Sequence, residues 1–228
     1  QVLKPAHGVA ITSATLRDEV IRPPVNTDEA KHNNETTENL SADWLSATTL
    51  TGAAHLAHPA LLSHHKSPFN YTSQSRIFIV TDLDRERPEG IAAAMASLIS
   101  TAGGGALGLF TSIQRLRATW PELASRCSEM DIPLYAQHID RMNLQTLLQL
   151  FREETRSVLL GTDAVRDGVD VPGDALKMMI YDRVPWPRPD MLFKARAAWQ
   201  GRNEWTERIT RMKLRQAFGR LIRRSDDK

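Results

Sequence analysis

The residues with the clearest capacity for chemistry lie near the C-terminus, in Gln216-Ala217-Phe218-Gly219-Arg220-Leu221-Ile222-Arg223-Arg224. On a helix, Gln216, Gly219, Arg220 and Arg223 recur at three- and four-residue spacing and share one stripe. That stripe offers an amide, a bare patch of backbone and two permanently charged guanidiniums. Guanidiniums grip phosphate in bidentate fashion, and a pair one turn apart suits the γ-phosphate of a nucleotide. A glycine inside a helix costs about 1 kcal/mol against alanine, so Gly219 calls for a reason, such as a ligand or another backbone passing close by. Leu214, Ala217, Phe218 and Leu221 form a neighbouring apolar stripe that would fix the helix to a sheet. The plainer reading of the polar stripe is a solvated basic face.

Two further segments carry chemistry. Gly161-Thr162-Asp163-Ala164-Val165-Arg166-Asp167-Gly168-Val169-Asp170-Val171-Pro172-Gly173 packs glycines, hydroxyl and carboxylate side chains and a proline into one shaped loop. Its alternative is an ordinary strand-to-helix turn. Thr111-Ser112 opens a helix, where hydroxyls cap free N–H groups and the same N–H groups can hold a phosphate.

These segments follow short apolar runs. Arg76–Val80, Ala106–Phe110, Ile132–Ala136, Ser157–Leu160 and Ala175–Tyr181 read as strands. Helices are expected over Ala42–Thr51 (capped by Ser41 and stopped by Gly52), Pro88–Thr101, Ser112–Met130 with Pro121 as a candidate break, Leu144–Glu154, and in two pieces over Pro189–Arg224. Alternation of this kind predicts an α/β, three-layer domain with a mostly parallel sheet and helices on both faces. Ligands on such sheets bind outside the carboxyl ends of the strands. Val9–Leu16 reads as a separate short strand. The polar run to residue 40, with Pro23-Pro24 and Asn33-Asn34, reads as a linker. The expected organisation is therefore residues 1–40 as an end strand with linker, and 41–228 as the domain.

The chain of 228 residues is 41% hydrophobic and 25% charged, enough for a core without staples. A single cysteine, Cys127, excludes a disulfide framework and an iron–sulfur cluster built on this chain's own thiolates. The longest apolar runs fall short of a membrane span, and the chain reads as cytoplasmic. It begins at Gln1 rather than Met, as an excised or processed piece would. The net charge of +2 conceals an asymmetry, because residues 183–228 hold 13 Lys/Arg against 5 Asp/Glu. A basic C-terminal fifth favours an anionic partner.

Taken together, these segments resemble the C-terminal motor lobe of superfamily 2 helicases, most closely the DinG/XPD-like branch of DNA helicases. Gly161-Thr162-Asp163 with Gly168-Val169-Asp170-Val171-Pro172-Gly173-Asp174 resembles motif V, and Gln216 with Gly219-Arg220-Leu221-Ile222-Arg223 resembles motif VI. Leu109-Phe110-Thr111-Ser112 resembles motif IV, and Ser13-Ala14-Thr15 motif III, the last motif of the first lobe. Ser67-Pro68-Phe69 and Arg183–Asp190 also recur in the family. The resemblance implies a RecA-like domain that closes on a first motor lobe over ATP and Mg2+, and that moves along single-stranded DNA. It implies Arg220 and Arg223 as arginine fingers, with Gln216, Gly219, Gly168 and Asp170 at the nucleotide. Thr111, Ser112, Thr162 and Asp163 would lie on DNA, and Ser13 and Thr15 would couple hydrolysis to unwinding.

The departures are as specific. No G-x-x-x-x-G-K-[ST] occurs, so the phosphate-binding loop and the magnesium carboxylate would belong to a first lobe outside this chain. Asp28-Glu29-Ala30-Lys31 mimics a DEAH-type box without a preceding apolar strand. Where the family usually has aromatic residues and glutamate in motif V, Val165, Arg166 and Asp167 stand here. The chain alone is therefore expected to be inactive, and the longer protein to be an ATP-dependent helicase in DNA repair or replication. The rivals are a free-standing nucleic-acid-binding or regulatory module on the same fold, and a small-molecule nucleotide enzyme on a doubly wound sheet. His55, His58, His64 and His65 cluster without a carboxylate or thiolate at ligand spacing. Asp82 and Asp84 read as loop carboxylates. Trp186, Trp199 and Trp205 lie in the basic region and could stack on bases or simply pack.

Overall fold

A computed structural model describes residues 10, 11, 13, 15, 44–171, 173–224 and 227. The chain divides into two compact units, Gln1–Ser67 and Pro68–Lys228. The expected end strand, the polar linker with Asp28–Lys31 and the Ser41 cap lie outside the described residues, apart from Ala10, Ile11, Ser13 and Thr15, none of which is in a strand. In the first unit residues 44–51 are helical, and Gly52, at φ +79°, turns the chain out of the helix.

The second unit is built on four parallel strands: β1 (Ala106–Leu109), β2 (Leu134–Ala136), β3 (Val158–Gly161) and β4 (Met178–Tyr181). Their order is β2-β3-β1-β4. Six helices surround them: α1 (Pro88–Ala102), α2 (Ile113–Glu129), α3 (Leu144–Glu153), α4 (Asp163–Gly168), α5 (Met191–Gln200) and α6 (Arg202–Leu221). Alternate strand residues feed opposite cores, as the two-residue period of a strand dictates. Ala106, Val158 and Leu160 pack with Ile91, Met95 and Ile99 of α1 and with Leu116, Leu123 and Cys127 of α2. Leu107, Leu109 and Leu159 pack with Leu147, Leu148 and Phe151 of α3, Val165 of α4 and Ala217 of α6. The result is the expected three-layer α/β, RecA-like arrangement.

Local chemistry explains the boundaries. Pro88 starts α1 at a position that needs no N–H donor, and Gly103, at φ +67°, ends it. Gly104, at φ +86°, passes so close to Arg156 that a Cβ would lie 2.4 Å from its carbonyl oxygen. Asn143 caps α3 by accepting from Thr146 N–H, and Asp190 caps α5 by accepting from Phe193 N–H.

Four expectations need correction. Residues 76–80 form no strand, and Ile77, Phe78 and Ile79 are 75–83% exposed. Their β-propensity is unrealised because no described strand pairs with them. Helix α2 continues through Pro121, since Leu116, Leu123 and Cys127 anchor both halves in one core. The motif V segment begins as a helix, α4, rather than as open loop. On α6 the apolar stripe is incomplete: Ala217 and Leu221 join the core and Phe218 packs edge-on to Tyr71, but Leu214 is 38% exposed.

Candidate functional site

The strands are in register at their carboxyl ends: Leu109 pairs with both Gly161 and Tyr181, and Ala136 with Leu160. The residues just beyond therefore meet side by side. Thr162 donates from N–H and from Oγ1 to Gln137 Oε1, each at 3.1 Å. Thr111 donates its N–H to Asp182 Oδ1 at 2.9 Å and its hydroxyl to Oδ2 at 3.4 Å. The Asp182 carboxylate is fully buried and also accepts from Arg115 Nε. Arg183 Nε lies 3.9 Å from the same carboxylate, and its Nη2 reaches Glu86 at 3.2 Å. Arg188 donates to the Thr111 carbonyl at 3.2 Å. Both the N–H and the C=O of Thr111 are thus fixed by the segment following β4.

Around this edge lies a cleft of about 700 Å3. Its walls include Thr111, Ser112, Thr162 and Asp163, so four residues expected on DNA are brought together. Arg183, Arg188, Arg196 and Lys213 supply positive charge to the same walls. Ser112 caps α2 by accepting from Arg115 N–H at 3.3 Å, leaving its own hydroxyl hydrogen for a further acceptor. The Ile113 and Gln114 amides of that first turn have no intrahelical acceptor, and a helix N-terminus favours an anion.

Helix α4 begins at the cleft wall, with Asp163, and meets Arg220 at its other end, with Asp167. Its hub is Arg166, whose side chain is only 6% exposed and pairs with Asp163 and Asp167, each at 2.9 Å. Burial alone would lower the Arg166 pKa, but the hydrogen bond to Asp167 and the charges of Asp163 and Asp167 outweigh it, and the net shift is upward. Buried between these carboxylates and the core, Arg166 presents no face to a base. Burial pushes the neighbouring Tyr181 phenol up to about 12, against the opposing pull of Arg166.

Helix α6 grips α4 at both ends. Lys213 Nζ lies 3.0 Å from Asp163 Oδ2, and Arg220 Nη2 donates to the Asp167 carbonyl at 3.0 Å. Seven residues apart, Lys213 and Arg220 share one helix face. Arg223 Nη2 lies 3.4 Å from Asp170 Oδ1. The Asp170 carbonyl accepts from Arg152 at 3.0 Å. Asp227 accepts from the N–H groups of Arg223 and Arg224 at 2.7 and 2.8 Å, finishing the helix end. Gly219 is exposed, and a Cβ there would meet nothing within 4 Å, so no packing requirement explains it. At Gly168 a Cβ would come within 3.3 Å of Leu148, which ties this glycine to the packing of α4 on α3.

Ser13 and Thr15 belong to the first unit, where their hydroxyl oxygens are 3.2 Å apart. Among the described residues no group of three or more His, Cys, Asp or Glu gathers to hold a metal ion, the four histidines included. No helix among the described residues is long and apolar enough to cross a membrane. Gln137, Asp182 and Lys213 stand in none of the segments that carry the resemblance, and Arg188 stands in one, Arg183–Asp190, without a role of its own. The signal for Asp182 is its place directly after the last apolar run.

Residues 95–228 match the family described as the helicase C-terminal domain. The chain is 34% identical over 174 residues to the ATP-dependent helicase DinG of Mycobacterium tuberculosis, covering 71% of this chain and 26% of that protein. It is 29% identical over 177 residues to the 3'-5' exonuclease DinG of Bacillus subtilis, covering 72% of this chain and 19% of that one. The solved structure of an XPD helicase superposes with a TM-score of 0.46 at 18% identity, over 65% of this chain and 28% of that one. The chain thus spans about a quarter or less of the length of these relatives. With the segments that follow β1, β3 and β4 meeting at one edge of a parallel sheet, the chain belongs to the helicase C-terminal domain family.

Proposed function

We propose that this chain is the second motor lobe of an ATP-dependent DNA helicase. In this reading Arg220 and Arg223 are the arginine fingers, and the cleft at Thr111, Ser112, Thr162 and Asp163 is part of a single-stranded DNA track. The observation that carries it is the junction of α4 and α6: both arginines hold the chain leaving β3, at Asp167 and Asp170, beside the uncovered backbone of Gly219. Arg223 and Asp170 form an ion pair with side chains 33% and 70% exposed. Such pairs contribute about 0–1 kcal/mol, so a phosphate can readily take the place of the carboxylate.

The chemistry follows from these positions. ATP with Mg2+, held against a first lobe that carries the P-loop and the magnesium carboxylate, supplies the phosphoryl group. Arg220 and Arg223 place fixed positive charge where negative charge grows on the transferred oxygens. Gln216, on the same face, supplies an amide for orientation. Gly168 and Asp170 join the nucleotide edge to the track, because α4 carries Asp163 at one end and Asp167 at the other. In the track Arg188 and Lys213 face DNA phosphates together with the Ser112 hydroxyl. Ser13 and Thr15 relay the step from the first lobe. The protein acts in the cytoplasm, on DNA under repair or replication.

The test is to join the chain to a DinG-type first lobe and measure DNA-stimulated ATP hydrolysis. Turnover that depends on both lobes supports the reading. A chain that binds single-stranded DNA but adds nothing to turnover would instead indicate the nucleic-acid-binding module.

A further inference from the structure

The three tryptophans of the basic region have different surroundings. Trp205 is 2% exposed, with the Arg196 guanidinium 5.7 Å from its ring centroid. Trp199 is 63% exposed on α5 and is not among the residues lining the cleft. Trp186 is 56% exposed and lines the cleft with Thr111, Ser112 and Arg188. An indole is a costly side chain to leave in water. The backbone that carries it is also constrained. Pro185 is buried on one side, Pro187 fixes φ on the other, and Trp186 N–H donates to the Val184 carbonyl at 2.8 Å. The surrounding wall carries Arg183, Arg188, Arg196 and Lys213, with Asp163 and Asp190 the only acidic residues lining it among the described residues. Asp163 is engaged by Lys213 and Arg166, and Asp190 by the N-terminus of α5.

We propose that Trp186 is a stacking platform for one nucleobase of single-stranded DNA, while the Thr111–Ser112 turn and Arg188 hold the adjoining phosphate. The occupant is argued from charge complementarity. A wall with an excess of cations around an exposed aromatic face suits a ligand that alternates anionic and planar apolar groups, as a single strand does. Every base has a π-face, so the platform is tolerant of sequence. Because Pro185 and Pro187 already restrict the backbone on either side of Trp186, less backbone freedom remains to be lost on binding. The inference rests on reading the cleft as the DNA track.

The experiment measures binding of the whole chain at low salt by fluorescence anisotropy. The two probes are an oligothymidylate and an abasic (tetrahydrofuran) oligomer of equal length, which share phosphates and differ in bases. Trp186→Leu keeps apolar bulk and removes the aromatic face; Trp186→Phe keeps the face. On the oligothymidylate, W186L should weaken binding about tenfold to a hundredfold, and W186F by no more than about threefold. On the abasic probe both variants should match the parent within about twofold. Equal losses on the two probes, or no loss on either, would overturn the platform and leave the track standing. A parent chain that binds neither probe would overturn the track, and the platform with it.

Discussion

Arg220 donates from Nη2 to the carbonyl oxygen of Asp167, 3.0 Å away. This one hydrogen bond ties the helix bearing motif VI to the backbone of motif V. Its counterpart seven residues earlier, Lys213 on Asp163, ties the same two helices at the edge of the cleft. A shift of α4 that alters one contact therefore bears on the other. In the proposed reading, a short helix clasped at both ends joins the nucleotide edge to the DNA track.

Arg166 is the centre of that clasp. Arg166→Ala leaves Asp163 and Asp167 without their buried partner, but both carboxylates are at least half exposed and can rehydrate. The expected cost is therefore about 1–3 kcal/mol. Urea unfolding of the variant against the parent chain checks it, and an unchanged midpoint would mean that Arg166 organises nothing.

Gly219 separates stability from function. With open space at its Cβ position, Gly219→Ala should stabilise the chain by about 0.5–1 kcal/mol through helix propensity. In a lobe-restored enzyme the same methyl group should slow ATP turnover if, as proposed, the nucleotide approaches this surface. Thermal melts and steady-state hydrolysis on one preparation test both halves.

Single-stranded DNA binding should be salt-dependent, with each phosphate contact contributing about 0.7 to the slope of log K against log salt. Arg188→Gln and Lys213→Gln should each flatten that slope by about this amount and weaken all sequences alike. A titration series in NaCl measures it, and slopes identical to the parent would place the phosphates elsewhere.

Alkaline pH should destabilise the fold. Burial pushes the Cys127 thiol from 9.0 up to about 11, and the Tyr181 phenol from 10.0 up to about 12. Between these values the unfolded chain has lost protons that the folded chain keeps. Stability is fully present below pH 9 and declines as pH rises through 11 and 12. Cys127→Ala should lower the melting temperature near neutrality through a small cavity, yet show a shallower decline above pH 9.

Apolar runs and helix signals made most of the architecture legible. Pro88 and Gly103 bracket α1 because their backbone constraints are local. Residues 76–80 misled because a strand needs a partner, and apolar composition does not say whether one is present. Leu214 misled because stripe arithmetic gives a helix face but not how much of that face the sheet covers. The meeting of Thr111, Ser112, Thr162 and Asp163 was legible because each pair closely follows an apolar run. Gln137 and Asp182 also follow apolar runs, but which side chains they would meet was not legible, because those contacts arise only when strands far apart in sequence end in register.

The central claim is that Arg220 and Arg223 serve ATP hydrolysis across a lobe interface. The most direct measurement is DNA-stimulated ATP turnover of the lobe-restored protein carrying Arg220→Ala or Arg223→Ala, with single-stranded DNA binding measured alongside. The account predicts a loss of about 10³-fold or more in turnover for each variant, with DNA binding largely retained. Turnover near the parent's in both variants would contradict it.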